Sequence, residues 1–151
     1  MFARALIALS LTFLTATSSS QENDGIVVHR LASEYQADET LVRVLLPDKL
    51  DERKRYRVLY ILPVVAAADR RFGDGMLEVK KADLHNKYGL ICVAPEFTAK
   101  PWYADNDSDL TKRDESHLLK VVLPFVEKNY PVLTESKGRL LVGFSKSGWG
   151  A

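Results

Sequence analysis

Residues 139–151 read RLLVGFSKSGWGA, and they are the most informative part of the sequence about the fold. Its first five residues form a largely apolar run, which is typical of a strand covered on both faces in a parallel sheet. Glycine and small polar residues follow directly, and they favour a sharp turn from strand to helix. The sequence therefore predicts a buried strand that ends in a tight turn, with a helix beginning immediately behind it.

Ser145 is the candidate nucleophile of this turn. A serine hydroxyl is a weak nucleophile, and it becomes useful when it projects from a sharp turn whose backbone N–H groups can stabilise an oxyanion. Small residues two before and two after the serine let the turn pack, and Gly143 and Ser147 occupy those positions. Ser147 as nucleophile would put bulky Trp149 in a small position. A glycine-rich turn whose hydroxyls cap a helix is the alternative, but the place after a third apolar strand favours the nucleophile.

Four more extended segments precede this strand. Residues 26–33 and 40–46 are predicted to form an antiparallel pair, because the second alternates in polarity and Pro47 ends it with turn chemistry. Residues 56–62 and 90–94 are apolar runs, as in strands buried on both faces. Helix patterns separate the later runs, so the sequence predicts an α/β fold of three layers with a mostly parallel sheet.

The two helix patterns cover residues 75–88 and residues 114–128. Gly89 is expected to end the first helix. Asp114 is expected to cap the N-terminus of the second, and Pro124 is expected to kink it. The apolar positions expected to face the sheet are Leu77, Leu84 and Tyr88 in the first helix, and Leu118, Val122, Phe125 and Val126 in the second.

Composition excludes several classes of protein. With 46% hydrophobic and 27% charged residues, the 151-residue chain has enough apolar material for a core and is not disordered. The formal net charge of +1 lacks the basic excess of a nucleic-acid binder. Cys92 is the only cysteine, so no internal disulfide can form, and its apolar surroundings predict a buried, unreactive thiol.

Residues 1–20 have the layout of a secretory signal peptide. Arg4 is their only charge, an uncharged run follows from residue 5 to residue 14, and small residues complete the segment up to Ser20. The apolar run is shorter than the roughly 20 residues of a membrane-spanning helix, which makes a membrane anchor the weaker alternative. We expect cleavage near Ser18 or Ser20, an exported (periplasmic or secreted) protein, and no stable membrane span after cleavage.

Several stretches in order make the sequence resemble the esterase D type of esterases within the α/β-hydrolases, whose relatives include S-formylglutathione hydrolases, feruloyl esterases and mycolyltransferases. The resemblance covers nearly all of residues 21–151. The matching stretches are LVRVLLP (41–47), YRVLYIL (56–62), ES (115–116), PFVEKNYP (124–131), GFS (143–145) and GWGA (148–151).

This resemblance implies a serine hydrolase that cleaves carboxylic esters through an acyl-enzyme on Ser145. It also implies that the backbone N–H of Lys146 is one oxyanion donor. Family members commonly have a His-Gly pair after the strand that here ends at residue 62, whereas this chain has Pro63, which lacks an N–H. The second donor would therefore be Val64 or Val65. The substrate expected is a small-molecule ester or an acylated carbohydrate, with no cofactor.

Trp102 and Tyr103 follow the strand at residues 90–94 on the predicted active-site side, and they are expected either to contact substrate or to pack. Residues 105–109 read DNDSD and resemble the opening of a calcium loop, but Leu110 replaces the turn glycine. A solvated loop without metal is the prediction.

The catalytic base is missing from the sequence. In α/β-hydrolases the triad follows the order serine, acid, histidine, but the six residues after Ser145 include neither acid nor histidine. Of the three histidines before it, His85 and His117 are expected to face solvent or to cap helices. We therefore expect the 151 residues to be the N-terminal part of a longer hydrolase, inactive alone. The alternative is a non-catalytic module, or pseudoenzyme, that binds carbohydrate or a partner.

Overall fold

A computed structural model describes residues 25–66, 69 and 71–151, so the predicted signal peptide lies outside the described residues. In the described part, five strands form one sheet in the order β1-β2-β4-β3-β5. Only β2 runs against the others, because it pairs antiparallel with β1 and β4, whereas β3 pairs parallel with β4 and β5. The strands are β1 (Ile26–Leu31), β2 (Thr40–Leu45), β3 (Arg57–Ile61), β4 (Leu90–Pro95) and β5 (Arg139–Val142).

Short helices flank the sheet and connect its parallel strands. Between β3 and β4 lie α1 (Gly75–Lys81) and α2 (Leu84–Lys87). Between β4 and β5 lie α3 (Asp114–His117), a π-helical turn (Leu118–Val122), α4 (Leu123–Asn129) and a 3-10 turn (Ser136–Gly138), and α5 (Lys146–Gly150) follows β5. The predicted alternation of strands and helices is confirmed.

The core has two halves, one on each face of the sheet, because side chains alternate along every strand. On one face, Val58 and Tyr60 pack with Val122 and Val126 of the second helical segment. On the other face, Cys92 belongs to the half that contains Met76 of α1. The predicted three layers are therefore present. Cys92 is buried as expected, and burial raises the pKa of its thiol to about 11.

The first predicted helix is broken in two, and of the three residues predicted to face the sheet only Leu84 packs against the core, where it is half-buried. Asp83 adopts a left-handed conformation with φ 56° between α1 and α2. Because this break changes the direction of the chain, positions on opposite sides of it no longer share one helical face. Leu77 and Tyr88 are 50% and 70% exposed, whereas Met76 and Val79 are buried. Gly89 has φ 58° directly after the helix, as expected of a terminating glycine.

In the second helical segment the inward face is as predicted, but its N-terminus is not. Leu118, Val122 and Val126 are buried, and Phe125 is half-buried. The π-helical turn ends two residues before Pro124, which has no N–H to donate.

Asp114 is not the N-cap, because Arg113 occupies that position. The Asp114 carboxylate instead accepts hydrogen bonds from Gln36 and from the backbone N–H of Trp102. The first turn is capped from outside, since Asp105 accepts from the backbone N–H of Ser116 at 2.8 Å and from its hydroxyl at 2.5 Å.

The prediction that His85 and His117 face solvent or cap helices is also wrong, because both are buried. The His117 ring lies where α3 meets the start of β2. Its Nδ1 is 2.9 Å from the Ser33 hydroxyl and its Nε2 is 3.1 Å from the Thr40 hydroxyl. Helix position alone gives no sign of these partners, which come from residues about eighty positions earlier.

Burial of His117 predicts that the protein loses stability in mild acid. Burial lowers the pKa of His117 below 6.5, although the charge of Asp114 opposes this. Below about pH 6.5 the unfolded chain binds a proton that the folded chain does not, so the free energy of unfolding falls as the pH falls. Urea unfolding of the full-length protein between pH 7.5 and pH 5 should show this decline. The decline should be smaller in His117→Gln, and an equal decline in both proteins would contradict the assignment.

Candidate active site

Three loops meet at one edge of the sheet. Because β3 pairs parallel with both β4 and β5, the carboxyl ends of all three strands lie at the same edge. The loops that leave this edge begin at Leu62, Glu96 and Gly143. Ligands of α/β sheets bind at this edge, so the predicted nucleophile, the predicted oxyanion donors and the Trp102 segment are brought to the side where chemistry is expected.

Ser145 lies between the end of β5 and the start of α5. Its backbone has φ 54° and ψ −121°, a combination that residues with a Cβ rarely adopt. The residue is exposed, and no hydrogen-bond partner of its hydroxyl lies among the described residues. The sharp turn from strand to helix is therefore present, and it presents the Ser145 side chain to solvent.

Close approach of β5 and α5 explains the small residues on either side of Ser145. A methyl group on Gly143 would overlap the Ser147 carbonyl group and would lie 2.6 Å from the backbone nitrogen of Gly148. Ser147 is buried, and its hydroxyl accepts from the Phe144 N–H and donates to the Phe144 carbonyl, both at 2.9 Å. Ser147 thus holds the turn together, and its hydroxyl is not available as a nucleophile.

The three predicted oxyanion donors make no backbone hydrogen bond to another described residue. Within residues 25–66, 69 and 71–151, the N–H groups of Lys146, Val64 and Val65 are not donors of any such bond. For Lys146 this is expected, because the first N–H groups of a helix have no partner within it. The loop with Val64 and Val65 starts next to the turn, since the Leu62 N–H donates to the Val142 carbonyl at 2.9 Å.

The structure does not supply Ser145 with a base from the described residues. His29 contacts Tyr130, with its Nε2 2.5 Å from the phenol oxygen, and His117 contacts Ser33 and Thr40. His85 lies in α2, just before β4 begins, and therefore near the opposite edge of the sheet. Each histidine is thus engaged or placed away from the turn.

The side chain of Lys146 contacts the Trp102 ring instead of Ser145. Its Nζ lies 4.7 Å from the ring centroid, is covered, and has no hydrogen-bond partner among the described residues. Burial and then the charge of Lys100 lower the pKa of Lys146, while Asp114 opposes them. Trp102 itself is 61% exposed beside the turn.

Tyr103 belongs to the loop after β4 and contacts the loop after β3. Its hydroxyl donates to the Pro63 carbonyl at 2.5 Å, and its ring packs edge-on against Phe97 with centroids 5.7 Å apart. The residue has φ 56° and is only partly exposed. Packing is thus evident for Tyr103, whereas Trp102 retains free surface.

A cavity of about 360 Å³ adjoins the turn. Its walls are mainly apolar and come from the loop after β3, from the start of α1, and from Gly143 and Phe144. Arg43 of β2 lies at its wall, 2.6 Å from Asp74 and 3.6 Å from Glu96. Arg43 was not among the residues predicted from the sequence, although a single charged residue within an apolar strand was a usable signal.

The DNDSD loop is held by its own hydrogen bonds. Asp105 contacts Ser116, Asn106 accepts from the backbone of residues 108 and 109, and Asp109 accepts from Thr111 and pairs with Lys112. Across residues 25–66, 69 and 71–151, no group of three or more histidine, cysteine or acidic side chains is arranged to hold a metal.

In the same residues, no helix is long and apolar enough to cross a membrane.

Several solved structures resemble this chain. An S-formylglutathione hydrolase from Agrobacterium tumefaciens has a TM-score of 0.67 at 16% identity, over 88% of this chain and 54% of that one. A ferulic acid esterase has a TM-score of 0.59 at 25% identity, and the match covers 83% of this chain and 52% of that one. A fluorophosphonate-binding serine hydrolase from Staphylococcus aureus has a TM-score of 0.63 at 16% identity, and the match covers 83% of this chain and 49% of that one. The chain thus spans about half the length of these proteins.

No protein-family model matches the sequence. The structural neighbours confirm the resemblance to α/β-hydrolase esterases of the esterase D kind, and they confirm the α/β-hydrolase fold. The five-stranded mixed sheet corresponds to about half of that fold.

Proposed function

We propose that this chain, which has the fold of α/β-hydrolase esterases, is part of a serine hydrolase that cleaves small carboxylic esters through an acyl-enzyme on Ser145. The observation that carries the proposal is the backbone of Ser145, held at φ 54° in an exposed turn at the carboxyl edge of the sheet. Such strain is retained where the surrounding structure enforces it, and it is frequent at catalytic residues. Two ferulic acid esterases are among the structural neighbours, which supports an ester as the substrate.

The proposed reaction has two steps. The Ser145 Oγ attacks the ester carbonyl carbon, its proton passes to a base, and the bond to the alcohol oxygen breaks as the alcohol takes up the proton. Water then attacks the acyl carbon while the base takes its proton, and the bond to the Ser145 Oγ breaks as the Oγ takes up that proton and the acid is released. During both steps the carbonyl oxygen carries negative charge, and we assign the N–H of Lys146, with that of Val64 or Val65, to stabilise it. The exposed part of the Trp102 side chain is the proposed contact for the substrate.

We further propose that residues 21–151 are the N-terminal portion of the hydrolase domain and that the histidine base and its acid come from residues beyond Ala151. The comparison with proteins of about twice the length supports this. The exposed apolar side chains Leu141, Val142 and Phe144 on and after β5 also support it, because such surfaces are normally covered. Under this proposal the 151 residues alone are inactive.

A fluorophosphonate probe tests the nucleophile. In the full-length protein, the probe should attach to Ser145, and peptide mass spectrometry identifies the labelled residue. Labelling should disappear in Ser145→Ala and persist in Ser147→Ala, because the Ser147 hydroxyl is buried and engaged. Absence of labelling in a folded wild-type protein would contradict the hydrolase and favour the pseudoenzyme that binds carbohydrate or a partner.

Export is a separate proposal, supported by the sequence pattern of residues 1–20. When the full-length protein is expressed in its own cells, the intact mass of the product outside the cytoplasm should match cleavage near Ser18 or Ser20. An uncleaved product that stays in the cytoplasm would contradict it.

A further inference from the structure

Tyr103 lies in the loop after β4 and contacts two parts of the site that are distant from it in sequence, the loop after β3 and helix α5. Its hydroxyl donates to the carbonyl of Pro63, in the loop after β3. Its ring packs on Phe97, in the loop after β4. The same ring lies against the backbone of α5, because a methyl group on Gly150 would come 2.5 Å from Tyr103 Cδ2. Tyr103 therefore spans the distance between the loop with the proposed oxyanion donors and the helix behind Ser145.

The strained backbone of Tyr103 is enforced by contacts on both sides. A φ of 56° is unusual for a residue with a large side chain. The residue before it is fixed by the bond from the Trp102 N–H to Asp114, at 2.7 Å. Two residues after it, Asp105 is fixed by its bonds to Ser116. In the described part of the chain, only Asp83, Tyr103 and Ser145 among the non-glycine residues have positive φ, so two of these three lie at the site.

The bond to Pro63 sets the direction of a neighbouring N–H group. The Pro63 carbonyl and the Val64 N–H belong to one planar trans peptide unit, in which they point in opposite directions. A hydrogen bond that fixes the direction of the Pro63 carbonyl therefore fixes the direction of the Val64 N–H as well. Pro63 adds rigidity through its fixed φ.

We propose that Tyr103 is a positioning residue, whose hydroxyl holds the Val64 N–H group in the direction that stabilises the oxyanion formed at Ser145. The inference rests on the proposed function. The proposed role does not require Tyr103 to contact substrate, and Tyr103 does not line the cavity beside the turn. Burial, and then the charge of Asp114, raise the pKa of Tyr103, so the hydroxyl keeps the proton that it donates.

The variant Tyr103→Phe removes the hydroxyl and keeps the ring packing against Phe97 and α5. In the full-length protein, kcat for p-nitrophenyl acetate should fall about tenfold to a hundredfold, because misdirected donors stabilise the transition state poorly. KM should stay within about twofold. A trifluoromethyl ketone, which forms a tetrahedral oxyanion with the serine, should bind more weakly by a factor similar to the loss in kcat/KM.

Tyr56→Phe is the matched control, because the Tyr56 hydroxyl also makes a hydrogen bond, accepting from the Asp51 N–H at 2.8 Å, but at a distance from the site loops. This variant should keep the kcat and the inhibitor affinity of the wild type. Rates are expressed per Ser145 labelled by the fluorophosphonate, so that a partly unfolded variant does not mimic a catalytic loss.

The measurements test the serine hydrolase and the positioning role of Tyr103 separately. A wild-type protein without labelling would overturn the serine hydrolase itself. If the wild type is labelled and Tyr103→Phe retains full kcat per labelled serine, the positioning role is wrong. A loss of kcat with unchanged affinity for the trifluoromethyl ketone would also overturn it, since the hydroxyl would then act on something other than the oxyanion. Gly150→Ala, which displaces the ring, should reproduce the loss.

Discussion

Replacing Ser145 with alanine in the full-length protein is expected to lower kcat for p-nitrophenyl acetate by about a thousandfold or more. Without the Oγ no acyl-enzyme can form, and only the oxyanion donors and substrate binding remain to accelerate hydrolysis by water. The free energy of unfolding should change little, because no described residue bonds the Ser145 hydroxyl. Steady-state kinetics and urea unfolding of the same samples measure both quantities.

Ser147→Ala is the control for this substitution. It removes the other hydroxyl of the turn, which bonds both backbone groups of Phe144, and should cost about 1 kcal/mol of stability. Its kcat should remain within about tenfold of the wild type, since Ser145 is retained. A Ser145→Ala protein with the turnover of the wild type, or a collapse of turnover in a folded Ser147→Ala protein, would show that the wrong serine has been assigned.

Replacing Gly143 with alanine is expected to destabilise the fold by about 3 kcal/mol, or to prevent folding. The added methyl group would overlap the Ser147 carbonyl and lie 2.6 Å from the Gly148 nitrogen, and both of these atoms are backbone. Backbone atoms cannot rotate away as a side chain can, so β5 and α5 would have to move apart. Urea unfolding of the full-length protein measures the effect, and fluorophosphonate labelling reports whether Ser145 remains reactive.

Gly148→Ala offers a matched substitution five residues later. A methyl group there would lie 3.4 Å from the nearest atom, the Gly143 carbonyl oxygen, which is an ordinary contact. Because Gly148 is within α5, alanine should be neutral or should stabilise by up to about 1 kcal/mol. Equal losses of stability in the two variants would mean that the close approach of strand and helix is not what selects Gly143.

The sequence predicted the features whose signals are local. The apolar runs at residues 56–62, 90–94 and 139–143 predicted strands because a buried parallel strand has no polar face. Gly143 and Ser147 predicted the turn, since only small residues fit where a helix starts against a strand. The helix at residues 75–88 was predicted wrongly, because its apolar stripe assumed one unbroken helix and the left-handed Asp83 divides it.

The sequence alone was thus sufficient to predict the order of strands and helices, the strand-to-helix turn with Ser145, and the absence of a disulfide within these 151 residues. The tertiary structure decided how distant groups pair. Tyr103 reaches the Pro63 carbonyl 40 residues before it, His117 is buried against Ser33 and Thr40, and Arg43 pairs with Asp74. Periodicity and turn chemistry reflect the conformational preferences of neighbouring residues. Contacts between distant residues depend instead on which loops the crossovers between β3, β4 and β5 bring to one edge of the sheet.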